Sequence, residues 1–181
     1  MITAEQAWKM LDEADLVCSA AAVDRAIEEV AEALTAEFRD RYPLVLCVMN
    51  GALFFCARLL PLLRFPLHLD YVHASRYGAE IDGRRVQWKV EPGEVVQGRH
   101  VLVVDDILDE GDTLATIRAK VLERGAASCK VAVLTDKVKP KRKPITPDFV
   151  GLRIPDRFVF GCGLDAYGLW RNLPAIYALK P

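Results

Sequence analysis

The chain has 181 residues, of which 52% are hydrophobic and 27% are charged, and its formal net charge is −1. This composition is typical of one globular domain, and the near-neutral charge argues against a general nucleic-acid-binding protein. No run approaches about 18 consecutive apolar residues, and no signal-peptide pattern opens the chain, so we expect a cytoplasmic protein without a membrane span. The five widely spaced cysteines indicate reduced thiols rather than a disulfide framework or a zinc site.

The N-terminal part of the chain predicts helices and strands in alternation. Thr3 and Gln6 form a capping box for a short first helix. Ser19 is a good N-cap for a second helix that reaches about Phe38. One face of this second helix is apolar, at Val23, Ile27, Val30 and Leu34. The other elements expected here are strands over residues 16–18, 44–49 and 67–74 and a helix over residues 52–62.

The stretch HVLVVDDILDEGDT, residues 100–113, carries the strongest signal. Its apolar run, residues 101–104, predicts a strand buried on both faces, which Asp105 and Asp106 close. Residues 109–113 are expected to form a tight loop that leads into a helix. The apolar face of this helix is predicted to hold Leu114, Ile117, Val121 and Leu122.

The remaining segments complete an α/β pattern. Residues 77–95 are polar and contain Gly83, which predicts a β-hairpin arm or a mobile loop. A strand is expected over residues 130–135, and the tail from Phe149 mixes short strands with proline and glycine. Alternating strands and helices predict a mostly parallel twisted sheet flanked by helices. In such a sheet, ligands bind at the carboxyl ends of the strands.

The loop after the central strand has the chemistry of a phosphate site. A helix N-terminus offers unpaired N–H groups and a positive dipole end, the Thr113 hydroxyl adds a donor, and Gly111 allows close approach. The loop contains no lysine, which favours a monoester phosphate over the phosphates of a nucleotide. Asp105 and Asp106 can accept hydrogen bonds from vicinal hydroxyls or bind Mg²⁺ through water. These features together indicate a ribose 5-phosphate group.

Other interpretations of this stretch stay open when it is taken alone. An apolar strand followed by Asp105 and Asp106 is also typical of a Walker-B element, a phospho-acceptor site or a solvated strand end. The Walker-B interpretation requires GxxxxGK[ST], which the sequence lacks. Gly161, Gly163 and Ala166 match a dinucleotide fingerprint, but too few residues follow for a crossover helix, so we treat this match as chance.

Several stretches together resemble the hypoxanthine-guanine phosphoribosyltransferase family. They are VLVVDDILDEGDTL (101–114), MNGALFF (49–55), ASRYG (74–78), the segment around Lys137 and PDFVGLRIPDRFVFGCGLD (147–165). The similarity runs from about Leu16 to Leu179. It implies the type I phosphoribosyltransferase fold, an α/β fold with a small hood. A single domain would span residues 1–181, with a core at about 38–140 and a hood made by the N-terminal segment and about 145–181.

The resemblance implies a purine-salvage enzyme. Such an enzyme transfers the 5-phosphoribosyl group from phosphoribosyl pyrophosphate (PRPP) to hypoxanthine or guanine, giving IMP or GMP plus pyrophosphate. It implies Mg²⁺ as cofactor, small-molecule substrates, no nucleic-acid or membrane partner, and a homodimer or homotetramer. The alternatives are a transferase for xanthine or a pyrimidine, and a non-catalytic regulator that senses PRPP. Asp109 is retained and the N-terminal helices show no helix-turn-helix pattern, and both points favour the enzyme.

The resemblance also assigns roles to individual residues. Asp109 would be the general base that takes the N7 proton of the purine. The ribose phosphate would be bound by Asp105, Asp106, Asp109, Glu110, Gly111, Asp112 and Thr113. The pyrophosphate would be bound by Met49, Asn50, Gly51 and Arg171, with a cis peptide between Met49 and Asn50. Mg²⁺ would be held by Asp105 and Asp106 and, through water, by Asp165.

The purine would be bound by Lys137, Phe158, Val159 and Asp165. Lys137 would contact O6 and N7, and Phe158 would stack on the ring, while Lys141 would lie near the phosphates. Lys137 opens the run KVKPKRKP, which without the resemblance is typical of a solvated loop or a nucleic-acid contact.

Three residues depart from the family pattern. Asn50 stands where lysine or arginine is frequent, and Glu110 stands where threonine or serine is usual. Arg76 replaces a serine in the mobile loop, which would include Arg76 and Tyr77. We expect Arg76 to offer the positive charge that Asn50 lacks.

Overall fold

The computed structural model of the protein describes residues 2–76 and 86–180. The helices in the described residues are α1 (Ala4–Asp12), α2 (Ala20–Phe38), α3 (Leu53–Leu59) and α4 (Asp112–Glu123). The strands there are β1 (Asp15–Cys18), β2 (Leu44–Val48), β3 (His68–Arg76), β4 (Val86–Val90), β5 (His100–Leu108), β6 (Ser128–Val138), β7 (Phe149–Pro155), β8 (Val159–Phe160) and β9 (Ile176–Ala178). Two short 3₁₀ turns, Leu60–Leu62 and Glu94–Val96, complete the described elements.

Six strands form a central sheet in the order β4-β3-β2-β5-β6-β7. All neighbouring strands pair in parallel except β4, which is antiparallel to β3 at one edge. Every residue of β2 and the stretch of β5 from Val101 to Asp106 are buried, because helices cover the sheet and α2 and α4 pack against β7 and β6. The predicted fold class, α/β with a mostly parallel sheet flanked by helices, is confirmed.

A second sheet of three strands, in the order β1-β9-β8, joins the N-terminal segment to the C-terminal tail. Asp15 of β1 and Val159 of β8 both lie opposite Ala178 of β9. β7 falls within the segment predicted as hood, but it pairs in parallel with β6 at the edge of the central sheet. The hood segment therefore contributes one strand to the central sheet, and the division into core and hood stays a prediction.

The helices begin at the predicted caps. Thr3 and Gln6 make both reciprocal hydrogen bonds of a capping box. The Ser19 hydroxyl accepts a hydrogen bond from the Ala22 N–H at 3.3 Å, and the predicted apolar face of α2 is buried. Among the described residues, no helix is long and apolar enough to cross a membrane.

Two strands continue further than their apolar runs predict. β5 extends through both aspartates to Leu108, because Asp105 still pairs with Val133 and Leu108 with Asp136 of β6. β6 reaches Val138, so the basic run begins on a strand rather than in a loop. β3 ends at Arg76, and β4 pairs with it antiparallel. Tyr77 and the rest of the predicted hairpin arm up to residue 85 lie outside the described residues.

Leu122 was predicted on the apolar face of α4, but it is 45% exposed, whereas Ile117 is fully buried. The prediction was wrong because neighbouring helical residues point about 100° apart, and Val121 already faces the core.

We expect Ile117→Ala to lower the free energy of unfolding by roughly 2–5 kcal/mol, since it leaves a cavity against the sheet. The matched control Leu122→Ala on the same helix should change it by less than about 0.5 kcal/mol. Urea titration of both variants measures the difference, and equal losses would contradict this assignment of the core.

Candidate active site

A cleft of about 580 Å³ opens at the carboxyl ends of β2 and β5. These strands are direct neighbours, with Leu44 opposite Val101 and Cys47 opposite Val104, so their ends meet. The predicted site residues that line the cleft are Met49, Asn50, Gly51, Asp105, Asp106, Asp109, Gly111, Thr113, Asp165 and Arg171. The loops assigned from sequence to pyrophosphate and to ribose phosphate therefore share one cleft.

Asp105 and Asp106 form a buried acidic pair at this end of β5. Each residue is 8% exposed, and the Asp106 N–H donates to Asp105 Oδ1 at 2.9 Å. Burial raises the pKa of both carboxyls. The negative charge of Asp106 raises the pKa of Asp105 further. At Asp106 the rise in pKa is smaller, because a hydrogen bond with Asp105 and the positive charge of Arg171 oppose it. The Asp106 carbonyl accepts a hydrogen bond from the Thr135 hydroxyl at 2.8 Å, which fixes the backbone. The pair can share a proton or accept hydrogen bonds from a diol.

Gly51 lets the Asp106 carboxyl approach the loop that follows β2. A Cβ on Gly51 would lie 2.0 Å from Asp106 Oδ2, so a larger residue requires a shift. The peptide bond between Met49 and Asn50 is cis, as the resemblance implied. The Met49 N–H donates to the Val72 carbonyl at 2.8 Å, which fixes the point where the loop leaves the sheet.

The segment between β8 and β9 contacts Gly51 from another side. Gly163 has a φ of 99°, and a Cβ on it would lie 2.0 Å from the Gly51 carbonyl oxygen. The Arg171 guanidinium donates to the Gly163 carbonyl at 2.6 Å and pairs with the Asp165 carboxylate at 2.5 Å. The second Asp165 oxygen accepts from the Gly168 N–H at 2.7 Å. Gly163, part of the fingerprint treated as chance, is therefore a residue on which the shape of the site depends.

The predicted phosphate loop divides between two clefts. Gly111 adopts a left-handed φ of 92° at the start of α4, a conformation that favours glycine. Thr113 lines the main cleft with Gly111. Glu110, Asp112 and Lys141 instead line a neighbouring cleft of about 630 Å³.

Asp109 lies between two lysine side chains. Lys137 Nζ donates to Asp109 Oδ2 at 3.1 Å, and Lys139 Nζ lies 2.6 Å from Asp109 Oδ1. Burial alone raises the pKa of Asp109, but hydrogen bonds from Lys139 and Lys137 outweigh it, and the pKa lies below its usual value. Lys139 also pairs with Glu110, and its hydrogen bonds to the two carboxylates raise its own pKa. Asp109 is thus an ionised carboxylate beside the lysine predicted to read the purine.

Lys143 joins the ends of β5 and β6 next to this pair. Its Nζ donates to the Leu108 carbonyl at 2.8 Å and to the Lys137 carbonyl at 2.6 Å, and it pairs with Asp136 at 2.5 Å. The side chain is only 13% exposed. Because Leu108 directly precedes Asp109, one ammonium group fixes the backbone at both predicted purine contacts.

Phe158 and Val159 are not among the described residues that line the main cleft. Phe158 is 51% exposed and stacks on Tyr167, with ring centroids 5.8 Å apart. Val159 is buried in β8. Asp156 connects this region to the site, since its Oδ1 lies 3.9 Å from Lys137 Nζ.

Sequence reasoning missed several residues that take part in the site. His73 and Lys89 line the main cleft, and Lys139 contacts Asp109. His73 and Lys89 lie outside every motif, and polar residues on strands carry no signal of their own. Lys139 belongs to a run of several lysines, and the sequence alone does not show which of them contacts Asp109.

Comparison with known proteins identifies the family to which the chain belongs. Residues 17–167 match the family model described as phosphoribosyl transferase domain. The chain belongs to this family. The family predicted from the sequence motifs is therefore confirmed.

Relatives in the phosphoribosyl transferase family cover nearly the whole chain. The protein is 36% identical over 160 residues to the hypoxanthine-guanine phosphoribosyltransferase of Bacillus subtilis, a match that covers 88% of this chain and 89% of the relative. It is 35% identical over 159 residues to the hypoxanthine-guanine-xanthine phosphoribosyltransferase of Tritrichomonas foetus, which covers 87% of each. The crystal structure of a hypoxanthine phosphoribosyltransferase from Staphylococcus aureus superposes with a TM-score of 0.88 at 28% identity, covering 96% of this chain and 95% of that one.

The carboxylates of this phosphoribosyl transferase domain fit a hard cation. Asp105 and Asp106 present at the cleft the oxygen ligands that Mg²⁺ prefers. In residues 2–76 and 86–180, no group of three or more His, Cys, Asp or Glu residues could hold a metal ion. An ion here would therefore take further oxygens from a bound substrate, as is usual for Mg²⁺. Both Asp165 oxygens are engaged by Arg171 and Gly168, so Asp165 acts first as the partner of Arg171.

We expect Gly51→Ala to weaken PRPP binding at least about tenfold and to lower the free energy of unfolding by roughly 1–3 kcal/mol, because the new methyl group displaces the Asp106 carboxyl. Gly93→Ala is the matched control, since its φ is −73° and its Cβ would meet nothing closer than 3.8 Å. Calorimetry and urea titration test both variants. Normal PRPP affinity in Gly51→Ala would contradict the close approach.

Asp105→Asn should raise the free energy of unfolding at pH 7 in metal-free buffer, because burial raises the pKa of the Asp105 carboxyl in the folded protein. A raised folded-state pKa means that the folded protein loses stability as pH rises from the unfolded pKa of about 4 towards the folded value. The amide of the variant cannot ionise, so the variant does not lose this stability. The difference in the free energy of unfolding between the variant and the wild type should therefore vanish near pH 3. A variant less stable than the wild type at pH 7 would contradict the raised pKa.

Proposed function

We propose that this protein transfers the 5-phosphoribosyl group of PRPP to N9 of hypoxanthine or guanine, giving IMP or GMP plus pyrophosphate. The observation that carries the proposal is Asp109, which lines the cleft with the buried Asp105–Asp106 pair and accepts a hydrogen bond from Lys137 Nζ at 3.1 Å. A proton acceptor and a donor suited to a 6-oxopurine thus adjoin groups suited to ribose. The names of the relatives agree with this reaction.

The donor would bind along the carboxyl ends of β2 and β5. Asp105 and Asp106 would accept hydrogen bonds from the ribose hydroxyls, and the start of α4 at Gly111 and Thr113 would take the 5′-phosphate. Glu110 and Asp112, with Lys141 nearby, would border that phosphate from the neighbouring cleft. Pyrophosphate would lie against the Met49, Asn50 and Gly51 backbone, with Arg171 as a cation at its edge.

The base would be read and deprotonated by the lysine–aspartate pair. Lys137 Nζ has three donors, which suit the O6 acceptor of a 6-oxopurine and, once its proton has left, N7. As N9 bonds to the ribose carbon, the N7 proton would pass to the ionised Asp109, a contribution of about 10²–10⁴-fold for positioned acid–base catalysis. The exposed face of Phe158 would stack on the ring, and backbone groups of Val159 and Asp165 would contact its other edge.

Mg²⁺ would be held by Asp105 and Asp106, and through water by Asp165, and when bound it supplies positive charge for the departing pyrophosphate. The side chains of this protein would bind and orient the substrates. Asp105 and Asp106 orient the ribose, and Arg171 faces the leaving group. Arg76 is the last residue of β3 and Tyr77 lies outside the described residues, so the loop assigned to them from sequence stays a prediction.

Xanthine is the second candidate base, because the name of the Tritrichomonas foetus relative includes it. A pyrimidine would lack the N7 that the Asp109–Lys137 pair is placed to contact. A non-catalytic PRPP sensor needs no proton acceptor at the base, so an ionised Asp109 beside Lys137 favours the enzyme.

Three of the five basic side chains of the run are bound into the site, whereas Lys141 and Arg142 are exposed. The Lys137, Lys139 and Lys143 side chains are 11%, 13% and 13% exposed and are all engaged with carboxylates. We therefore propose a cytoplasmic enzyme with small-molecule substrates.

Leu53 and Leu69, each 55% exposed, form an apolar face that would support a homodimer or homotetramer. Sedimentation velocity measures the oligomeric state.

A panel of bases with PRPP and Mg²⁺ tests the reaction directly. Hypoxanthine and guanine should yield nucleoside monophosphates, adenine and uracil should not, and xanthine decides the second candidate. No product from any purine would refute the proposed function.

Lys137→Met should reduce kcat/KM for hypoxanthine at least about tenfold. It should also lower the ratio of kcat/KM for hypoxanthine to kcat/KM for adenine. Adenine presents an amino donor to the Lys137 donor, and an unpaired buried polar group costs about 1–3 kcal/mol. Lys141→Met, which removes the same charge from the same run, should leave the ratio unchanged. An unaltered hypoxanthine-to-adenine ratio in Lys137→Met would mean that Lys137 does not read the base.

A further inference from the structure

The pairing of β3 with β4 contains a β-bulge at the edge of the main cleft. His73 lies opposite Val90, but the next residue of β3, Ala74, lies opposite Trp88. Lys89 is therefore the extra residue of β4, with no partner across the ladder. Bulges turn a side chain away from the regular alternation and are frequent next to active sites. Here the bulge places Lys89 on the lining of the cleft, together with His73 and Ala74.

The acidic lining of the cleft favours a cation at this position. Its lining carries the carboxylates of Asp105, Asp106, Asp109 and Asp165. Among the described lining residues, the only lysine or arginine side chains are Lys89 and Arg171. Arg171 is already committed to the Asp165 carboxylate and the Gly163 carbonyl. Lys89 makes no hydrogen bond or ion pair with any described residue.

The position of the bulge favours the pyrophosphate half of the cleft. Val72 is the parallel partner of Val48, and the Met49 N–H donates to the Val72 carbonyl at 2.8 Å. His73 therefore adjoins the loop of residues 49–51, and Lys89, next to Val90, the partner of His73, lines the same cleft. The phosphate loop at Gly111 follows β5, which is two strands further from β4 than β3 is.

We propose that Lys89 is a binding residue for the pyrophosphate group of the phosphoribosyl donor. This inference rests on the proposed function and adds to it the cation that the Asn50 side chain does not provide. The ammonium group makes charge-assisted hydrogen bonds to phosphate oxygens, which are about twice as strong as neutral ones. The contrasting role is a solvated lysine that protects the edge strand β4 from pairing with other chains.

Calorimetry in the presence of Mg²⁺ compares wild type and Lys89→Met with three probes: PRPP, inorganic pyrophosphate and ribose 5-phosphate. We expect PRPP and pyrophosphate to bind about tenfold more weakly to the variant, and ribose 5-phosphate to bind equally well. The KM for hypoxanthine at saturating PRPP should stay unchanged. Lys89→Arg should keep most of the pyrophosphate affinity, since it keeps the charge on the bulge.

Lys9→Met is the control for net charge, because Lys9 lies on α1 and its side chain is 73% exposed. It should leave all three affinities unchanged. Unaltered pyrophosphate affinity in Lys89→Met, an equal loss in Lys9→Met, or an equal loss for ribose 5-phosphate would each overturn the assignment. A wild-type protein that neither binds PRPP nor transfers its phosphoribosyl group would refute the proposed function itself, which separates the two failures.

Discussion

The contact between the Asp106 carboxyl and Gly51 is the constraint on which the rest of the site depends. A Cβ on Gly51 would lie 2.0 Å from Asp106 Oδ2, and a Cβ on Gly163 would lie 2.0 Å from the Gly51 carbonyl oxygen. Three chain segments therefore meet at one residue without a side chain. Burial raises the pKa of both carboxyls held there, so their ionised form is disfavoured until a hydroxyl donor or a cation approaches.

The base-binding side depends on the opposite electrostatic arrangement. Lys137 and Lys139 lower the pKa of Asp109 against the effect of burial, so this carboxylate is ionised while Asp105 and Asp106 resist ionisation. The carboxyl groups of Asp105 and Asp106 on β5 and of Asp109 just after it thus differ in their chemistry. In the proposed reaction the Asp105–Asp106 pair orients the ribose, and Asp109 accepts a proton from the base. The end of β5 can therefore serve both substrates.

The sequence predicted the family, the fold class and the helix caps, because motifs and apolar periodicity are local signals, whereas the family resemblance implied the cis bond between Met49 and Asn50. It misplaced the ends of β5 and β6, since pairing with a neighbouring strand extends a strand beyond its apolar run. It could not predict the place of Lys89, which depends on one extra residue in the β3–β4 register. The contact of Gly163 with Gly51 could not be predicted for a similar reason, because it joins residues far apart in the chain.

The central claim is that Asp105 and Asp106 at the end of β5 bind the hydroxyls of a ribose whose phosphate lies at the start of α4. The most direct measurement compares the affinities of the wild-type protein for ribose 5-phosphate and 2-deoxyribose 5-phosphate by calorimetry. The two sugars share the phosphate and differ in one hydroxyl, so their difference isolates the contact with the acidic pair. The account predicts that the deoxy sugar binds about tenfold more weakly, because a buried carboxylate loses its donor. Equal affinities would contradict it.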